Sequence, residues 1–220
     1  MPLSSLDIQF YYTGEATGPS NNTLSLGGTK SPYTIPSGVA NNIFDDVTGD
    51  ESENGDTEYR GIAIYINTIN SGGAYDAIHP RIWISGYARA SSGADTLYIA
   101  ASTFGLNANT MGVCSNEDSA PNETGLTWVE EGSPSATIYF DSSGKPTTTK
   151  PSQEGTLNAE NWVGLWFKRV VPAGAEAYSN RSCTIVFRCE TTASPIRYEI
   201  TREFIVHFGD KFYVQVRNLE

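Results

Sequence analysis

Seven carboxylates fall within residues 44–58, namely Asp45, Asp46, Asp50, Glu51, Glu53, Asp56 and Glu58, with no Lys, Arg or His among them. Oxygen-rich loops bind calcium when their ligands recur at alternate positions around a glycine. Counted from Asp50, Ser52 and Asn54 fall third and fifth, Gly55 sixth and Glu58 ninth, which matches the opening of an EF-hand loop. The twelfth place is Gly61, so the glutamate that closes such a loop is missing, and the residues that follow have the pattern of a strand rather than an exiting helix. What remains is an irregular surface site for Ca2+ or Mg2+ over Asp50, Ser52, Asn54, Asp56 and Glu58. The favoured reading is a solvated acidic loop with Asp50 or Ser52 capping a short helical turn, and no cofactor is expected.

Nucleophilic catalysis needs a base beside a Ser, Thr or Cys. The two histidines are poorly suited to that work. His79 precedes Pro80 and is expected to be held extended at a strand entrance, and His207 takes an outward parity in a late strand. Nucleophile elbow, phosphate loop, dinucleotide fingerprint and paired Cys-x-x-Cys are all missing from the sequence. Two carboxylates can hydrolyse glycosides, but among 25 Asp and Glu their mere presence selects nothing. The chain is therefore expected not to be an enzyme. Cys183 and Cys189 share one strand at a separation of roughly 20 Å, too far for a disulfide. All three cysteines are expected to be buried small hydrophobes of a chain made in a reducing cytoplasm.

Aromatic residues offer the other chemistry. Tyr11, Tyr65, Trp83 and Tyr87 take parities opposite to the aliphatic positions, and Trp162, Trp166 and Tyr178 cluster later. Stacked rings on an exposed sheet face hold sugars, whereas aromatic anchors also fill the centres of protein interfaces. Tyr11, Tyr12, Trp83, Tyr87, Trp162 and Trp166 are the residues expected to form an interface.

The elements that must position these groups are strands. The composition of 21 Gly, 11 Pro and 12 Tyr among 220 residues suits short strands joined by turns. Period-two alternation marks strands over 61–68, 82–85, 97–99, 126–130, 136–140, 162–171, 183–189, 196–208 and 212–217, with a further short one over 7–12. About ten strands without intervening helices predict an antiparallel β-sandwich of jelly-roll or immunoglobulin-like type. Breakers at Gly14, Gly18, Pro19, Gly27, Gly28, Pro32, Pro36 and Gly38 predict that residues 1–40 form an extended arm, with the sandwich over 41–220 and a subdomain break near 141–157.

A net charge of −11 and a pI near 4.6 exclude the phosphate backbone as a natural partner. No nucleic acid is expected to bind. The first twelve residues lack the pattern of a signal peptide and no apolar run approaches the ~18 residues of a membrane span, so no membrane association is expected.

Two stretches resemble a group of tailed-phage virion proteins. One is 41–60, with Ile43, Phe44, Asp45, Asp46 and Val47, then Gly49, Asp50, Glu51, then Gly55, Asp56, Thr57, Glu58, Tyr59 and Arg60 leading into a strand. The other is 162–180, where Trp162 and Trp166 precede Lys168, Arg169, Val171, Pro172, Ala173, Gly174, Ala175 and a Tyr178, Ser179, Asn180 turn. Together they cover about 40 of the 220 residues. The resemblance carries over no catalytic residue. It implies a capsid decoration (cement) protein located in the virion, with the major capsid protein and copies of itself, as a homotrimer, for partners. A tail or baseplate adaptor, or a carbohydrate-binding module, is the alternative.

Overall fold

The computed structural model describes residues 3–69, 73–85, 95–130, 136–175, 182–191 and 199–207. Within them run twelve strands: β1 (Ile8–Thr13), β2 (Lys30–Thr34), β3 (Asp56–Ile66), β4 (Ala77–Ser85), β5 (Thr96–Ala101), β6 (Val129–Glu130), β7 (Tyr139–Phe140), β8 (Pro146–Thr147), β9 (Thr156–Leu157), β10 (Trp162–Val171), β11 (Ser182–Thr191) and β12 (Glu199–His207). One α-helix, α1 (Gly49–Asn54), and two short 3-10 helices accompany them. The strands form a six-stranded sheet in the order β2-β1-β3-β10-β5-β6, a four-stranded sheet in the order β12-β11-β4-β9, and the small pair β7-β8. Every pairing is antiparallel. The expected all-β sandwich is the observed architecture.

Register explains how the alternation becomes a core. Tyr12 stands opposite Ile62, Ile62 opposite Leu165 and Leu165 opposite Ala101, so one row of buried side chains crosses four strands. Parallel rows bring Ile8, Phe10, Ile64, Ile66, Val163, Phe167, Leu97 and Ile99 to the same face, where they pack on Ile82, Cys183, Ile185, Phe187, Cys189 and Val206 of the smaller sheet. Burying each large side chain of this set stabilises the sandwich by about 1.5–3 kcal/mol relative to exposure.

The first forty residues are part of that core and not an arm. β1 is an interior strand, hydrogen-bonded to β2 on one side and β3 on the other, and Leu3, Ile8, Phe10, Tyr12, Ala16 and Ile35 are buried. The breakers serve turns inside the sheet: Gly14 (φ 60°) and Gly27 (φ 90°) take left-handed conformations. Pro32 is tolerated because β2 is an edge strand of its sheet, where a missing N–H costs no ladder bond. The expected break near 141–157 is likewise stitched across. Gly155 N donates to Phe140 O at 2.9 Å, Asp141 bridges to Glu154, and Phe140 and Leu157 join the common core.

The outer face of the larger sheet carries a third layer. Ala63, Ala100, Trp162 and Trp166, at the opposite parity, pack beneath Met111 and Cys114 from the long connection between β5 and β6, with Leu26, Leu126 and Trp128 alongside. That connection pairs with residues 26–28: Gly28 N donates to Gly112 O, Met111 N to Gly28 O and Cys114 N to Leu26 O. A side chain at Gly27 would put its Cβ 2.1 Å from Gly112 O and 2.6 Å from the Trp166 ring, so only glycine lets the two backbones meet over the indole.

His79 is not held in an extended entrance. Its φ is +52°, and the pairing of β4 with β11 skips from Arg81 opposite Arg188 to Ile78 opposite Glu190. His79 and Pro80 therefore form a bulge, which also removes the conflict between Pro80 and a regular ladder. The expected strand over 212–217, together with Tyr87, Tyr178, Ser179 and Asn180, lies outside the described residues.

Candidate functional site

The two stretches singled out by resemblance lie more than a hundred residues apart and meet in one place. β3 and β10 are neighbours over their full length, with Arg60 opposite Phe167 and Glu58 opposite Arg169. Extending the inward parity of Ile62 backwards reaches Arg60 and Glu58, and extending that of Phe167 forwards reaches Arg169. The sheet thus continues its buried face into charge.

Both guanidiniums are fully buried, as is nearly all of Glu58. Glu58 Oε2 accepts from Arg169 Nε at 2.5 Å and is in contact with Arg169 Nη2, while Glu58 Oε1 accepts from Arg60 Nη2 at 3.1 Å. The same Arg60 nitrogen reaches Glu117 Oε2 at 2.5 Å and Asp45 Oδ1 at 3.3 Å, and Arg169 Nη1 donates to the Asp45 carbonyl at 2.8 Å. The Phe44 ring lies 5.4 Å from the Arg60 guanidinium carbon and 4.8 Å from that of Arg169, so one aromatic ring contacts two delocalised cations.

The acid-rich segment docks on the second stretch as well. Thr48 caps α1: its hydroxyl accepts from Glu51 N, and Glu51 Oε2 accepts in turn from Thr48 N at 2.7 Å. The capping residue is therefore neither Asp50 nor Ser52. Ser52 is buried and its Oγ donates to Ala175 O at 2.9 Å, while Ser52 O accepts from Gly174 N and Ala175 N. Gly55 (φ 80°) passes so close to Ala173 that an added Cβ would lie 3.0 Å from its nitrogen.

This arrangement scatters the expected cation ligands. Asp50 and Asn54 lie on one helix, joined by a bond from Asn54 Nδ2 to Asp50 O; Ser52 turns to Ala175, Asp56 opens β3, and Glu58 points into the arginines. The carboxylates that converge among the described residues are instead Asp45, Glu58 and Glu117, with oxygens within 4.8 Å of one another. Two guanidiniums already fill the role of counter-ion there. The group is thus an ion-pair network of three carboxylates and two guanidiniums.

Three carboxylates against two guanidiniums leave one excess negative charge. Burial pushes the Glu58 carboxyl up to about 7, against the opposing pull of Arg169 and then Arg60, and burial also raises Glu117. One proton taken up by the group brings it to neutrality. A carboxyl whose folded value lies above its unfolded one contributes stability that is complete below the ordinary value of 4.5 and is lost as pH rises through about 7. The melting temperature is accordingly expected to fall between about pH 5 and pH 8, by the equivalent of at most ~3 kcal/mol. Thermal melts of the wild type and Glu58→Gln check this, the variant being expected to flatten the dependence.

The aromatic candidates divide. Tyr12, Trp162 and Trp166 are buried within the chain, and Tyr12 donates its hydroxyl to Asn42 O at 2.9 Å. They are not interface residues of the free surface: Tyr12 points into the core between the sheets, and the third layer covers Trp162 and Trp166 on the face that alternation alone marks as outward. Tyr11 is half-buried, edge-to-face with Tyr65 at 5.7 Å, and the Lys30 ammonium sits 4.0 and 4.9 Å from the two rings. Trp83, on β4, is half-buried, and Tyr87 lies outside the described residues.

One structural anchor has no signal in its local sequence. Glu123 accepts from Trp166 Nε1 (2.8 Å), Gly112 N (2.6 Å), Thr103 N (2.6 Å), Ser102 Oγ (3.0 Å) and Thr103 Oγ1 (3.0 Å), anchoring the third layer to the sheet. The three cysteines are buried and none is in a disulfide, and burial pushes the Cys114 and Cys189 thiols up to about 12. His79 Nδ1 lies 3.5 Å from Glu190 Oε1.

No protein-family model and no curated protein matches the sequence. Among solved structures the chain is similar to AvmM, which catalyzes macrocyclization in alchivemycin A biosynthesis, at 12% identity and TM-score 0.33, over 74% of this chain and 85% of that one. It is also similar to a family 123 glycoside hydrolase from Clostridium perfringens, at 12% identity and TM-score 0.23, over 71% of this chain and 21% of that one. Likeness at this level does not carry either activity to this chain. Among the described residues no helix is long and apolar enough to cross a membrane.

Proposed function

We propose that the chain is a non-enzymatic structural protein of a tailed-phage virion, and specifically a capsid decoration protein that binds the head shell. The observation that supports this most is the union of the two resembling stretches. Asp45, Glu58, Arg60 and Arg169 pair with one another and Ser52 binds the turn at Ala173–Ala175, so residues from both stretches are engaged in holding the sandwich together. A slab whose charged cluster pairs internally suits a binding role, in which many identical copies each bury a modest apolar area at junctions between capsomers. The partners are then the major capsid protein and further copies of the chain, as a homotrimer.

A tail or baseplate adaptor is the second reading, since the same slab serves there equally. A carbohydrate-binding module is disfavoured at Tyr11 and Tyr65 because Lys30 lies over both rings and the rings meet edge-to-face. Gel densitometry of purified particles separates head from tail. The proposal expects a copy number comparable with that of the major capsid protein; one far below it places the chain in the tail, and absence from the particle overturns the virion role.

A further inference from the structure

Arg60, Arg81 and Arg169 each face a carboxylate. Arg202 does not. Its Nε is buried without a hydrogen-bond partner, and no ion pair engages the guanidinium among the described residues. An unpaired buried donor costs about 1–3 kcal/mol.

The side chain opens onto a cavity of about 290 Å³ walled by Gln9, Phe10, Thr34, Ile35, Pro36, Ser37 and Arg202. The cavity lies in a crook between the two sheets. β12 is tied to the segment after β2 by Ile205 N donating to Ser37 Oγ (3.0 Å), Gly38 N to Ile205 O (3.1 Å), and Asn42 Nδ2 to both Ile205 O (2.7 Å) and Pro36 O (2.9 Å). The walls are therefore fixed by a hydrogen-bonded bridge. Gln9, Thr34, Ser37 and Arg202 supply polar groups, all four able to donate, and among the described residues no Asp or Glu joins them. Phe10, Ile35 and Pro36 supply an apolar side.

We infer that this cavity is a binding site for a single carboxylate group carried on a short aliphatic chain, held by Arg202. One guanidinium matches one monoanion, and guanidinium–carboxylate pairing is geometrically selective. The surplus negative charge of the chain disfavours a phosphate dianion at a site with a single cation. The apolar walls accept the methylenes, and the volume sits near the lower limit, roughly 300 Å³, of small-molecule pockets. The group comes either from a free acid or from an acidic side chain of a docked protein.

Calorimetric titration of the full chain with butyrate, with the α-amide of N-acetylglutamate and with uncharged butyramide tests the site. Saturable binding of either acid, no binding of butyramide, and a loss of about tenfold or more in Arg202→Met are expected. Tighter binding of the glutamate derivative assigns the source to a protein side chain, and tighter binding of butyrate to a free acid. Arg202→Met is also expected to keep or raise the melting temperature, because it removes an unpaired buried donor. Failure of both acids to bind, equal binding of butyramide, or unchanged affinity in the variant overturns the site; the butyramide comparison needs only the wild-type chain.

Discussion

Arg169→Met is expected to destabilise the fold by about 3–5 kcal/mol, because it leaves Glu58 buried against Arg60 alone and removes the donor to the Asp45 carbonyl. Taking two charges out of water is costly, and their attraction repays it only while the pairing is complete. The double replacement Glu58→Leu with Arg169→Met takes out both charges at once. It is expected to recover a large part of the loss, giving a coupling energy of about 1–3 kcal/mol in a double-mutant cycle followed by urea denaturation. A coupling near zero would mean that the two side chains are neighbours without being partners.

Glu123→Ala is expected to cost at least about 3 kcal/mol. The hydroxyls of Ser102 and Thr103 can turn to other acceptors, but the N–H groups of Gly112, Thr103 and the Trp166 indole are fixed by backbone and packing. Their loss of an acceptor loosens the third layer over Trp166. The readout is a red shift of tryptophan emission together with a lower urea midpoint. Glu123→Gln, which keeps one acceptor and adds a donor among donors, is expected to fall between the wild type and Glu123→Ala.

The sandwich was legible because alternation is a direct consequence of the strand period. β10 begins and ends where the sequence places it, at Trp162 and Val171. The same alternation misled where it stopped at the edge of hydrophobicity. Arg60 and Glu58 continue the parity of Ile62, yet charged residues at buried positions look like a loop when only apolar residues are counted. Tyr12 shares the parity of Ile8 and Phe10, and this was the signal that the first forty residues belong to the sheet; the glycines around them reported turns, not an absence of structure. Trp166 and Glu123 were beyond reach, since a third layer contributed by the connection between β5 and β6 depends on contacts 43 positions apart in the chain.

The acidic segment shows how composition conceals role. Seven carboxylates in fifteen residues read as a solvated acidic loop with room for a cation, but they serve different physical ends once folded. Glu51 closes a helix cap, Asp45 and Glu58 pair with arginines, and Asp56 starts a strand. The spacing that imitates an EF-hand arises because a short helix followed by a strand places polar residues at similar intervals.

Electron microscopy of purified particles tests the proposed role most directly. The account predicts β-sandwich density of this chain seated at capsomer junctions on the outer surface of the head, in many symmetry-related copies. Density confined to the tail, or a shell from which the chain is missing altogether, would contradict it.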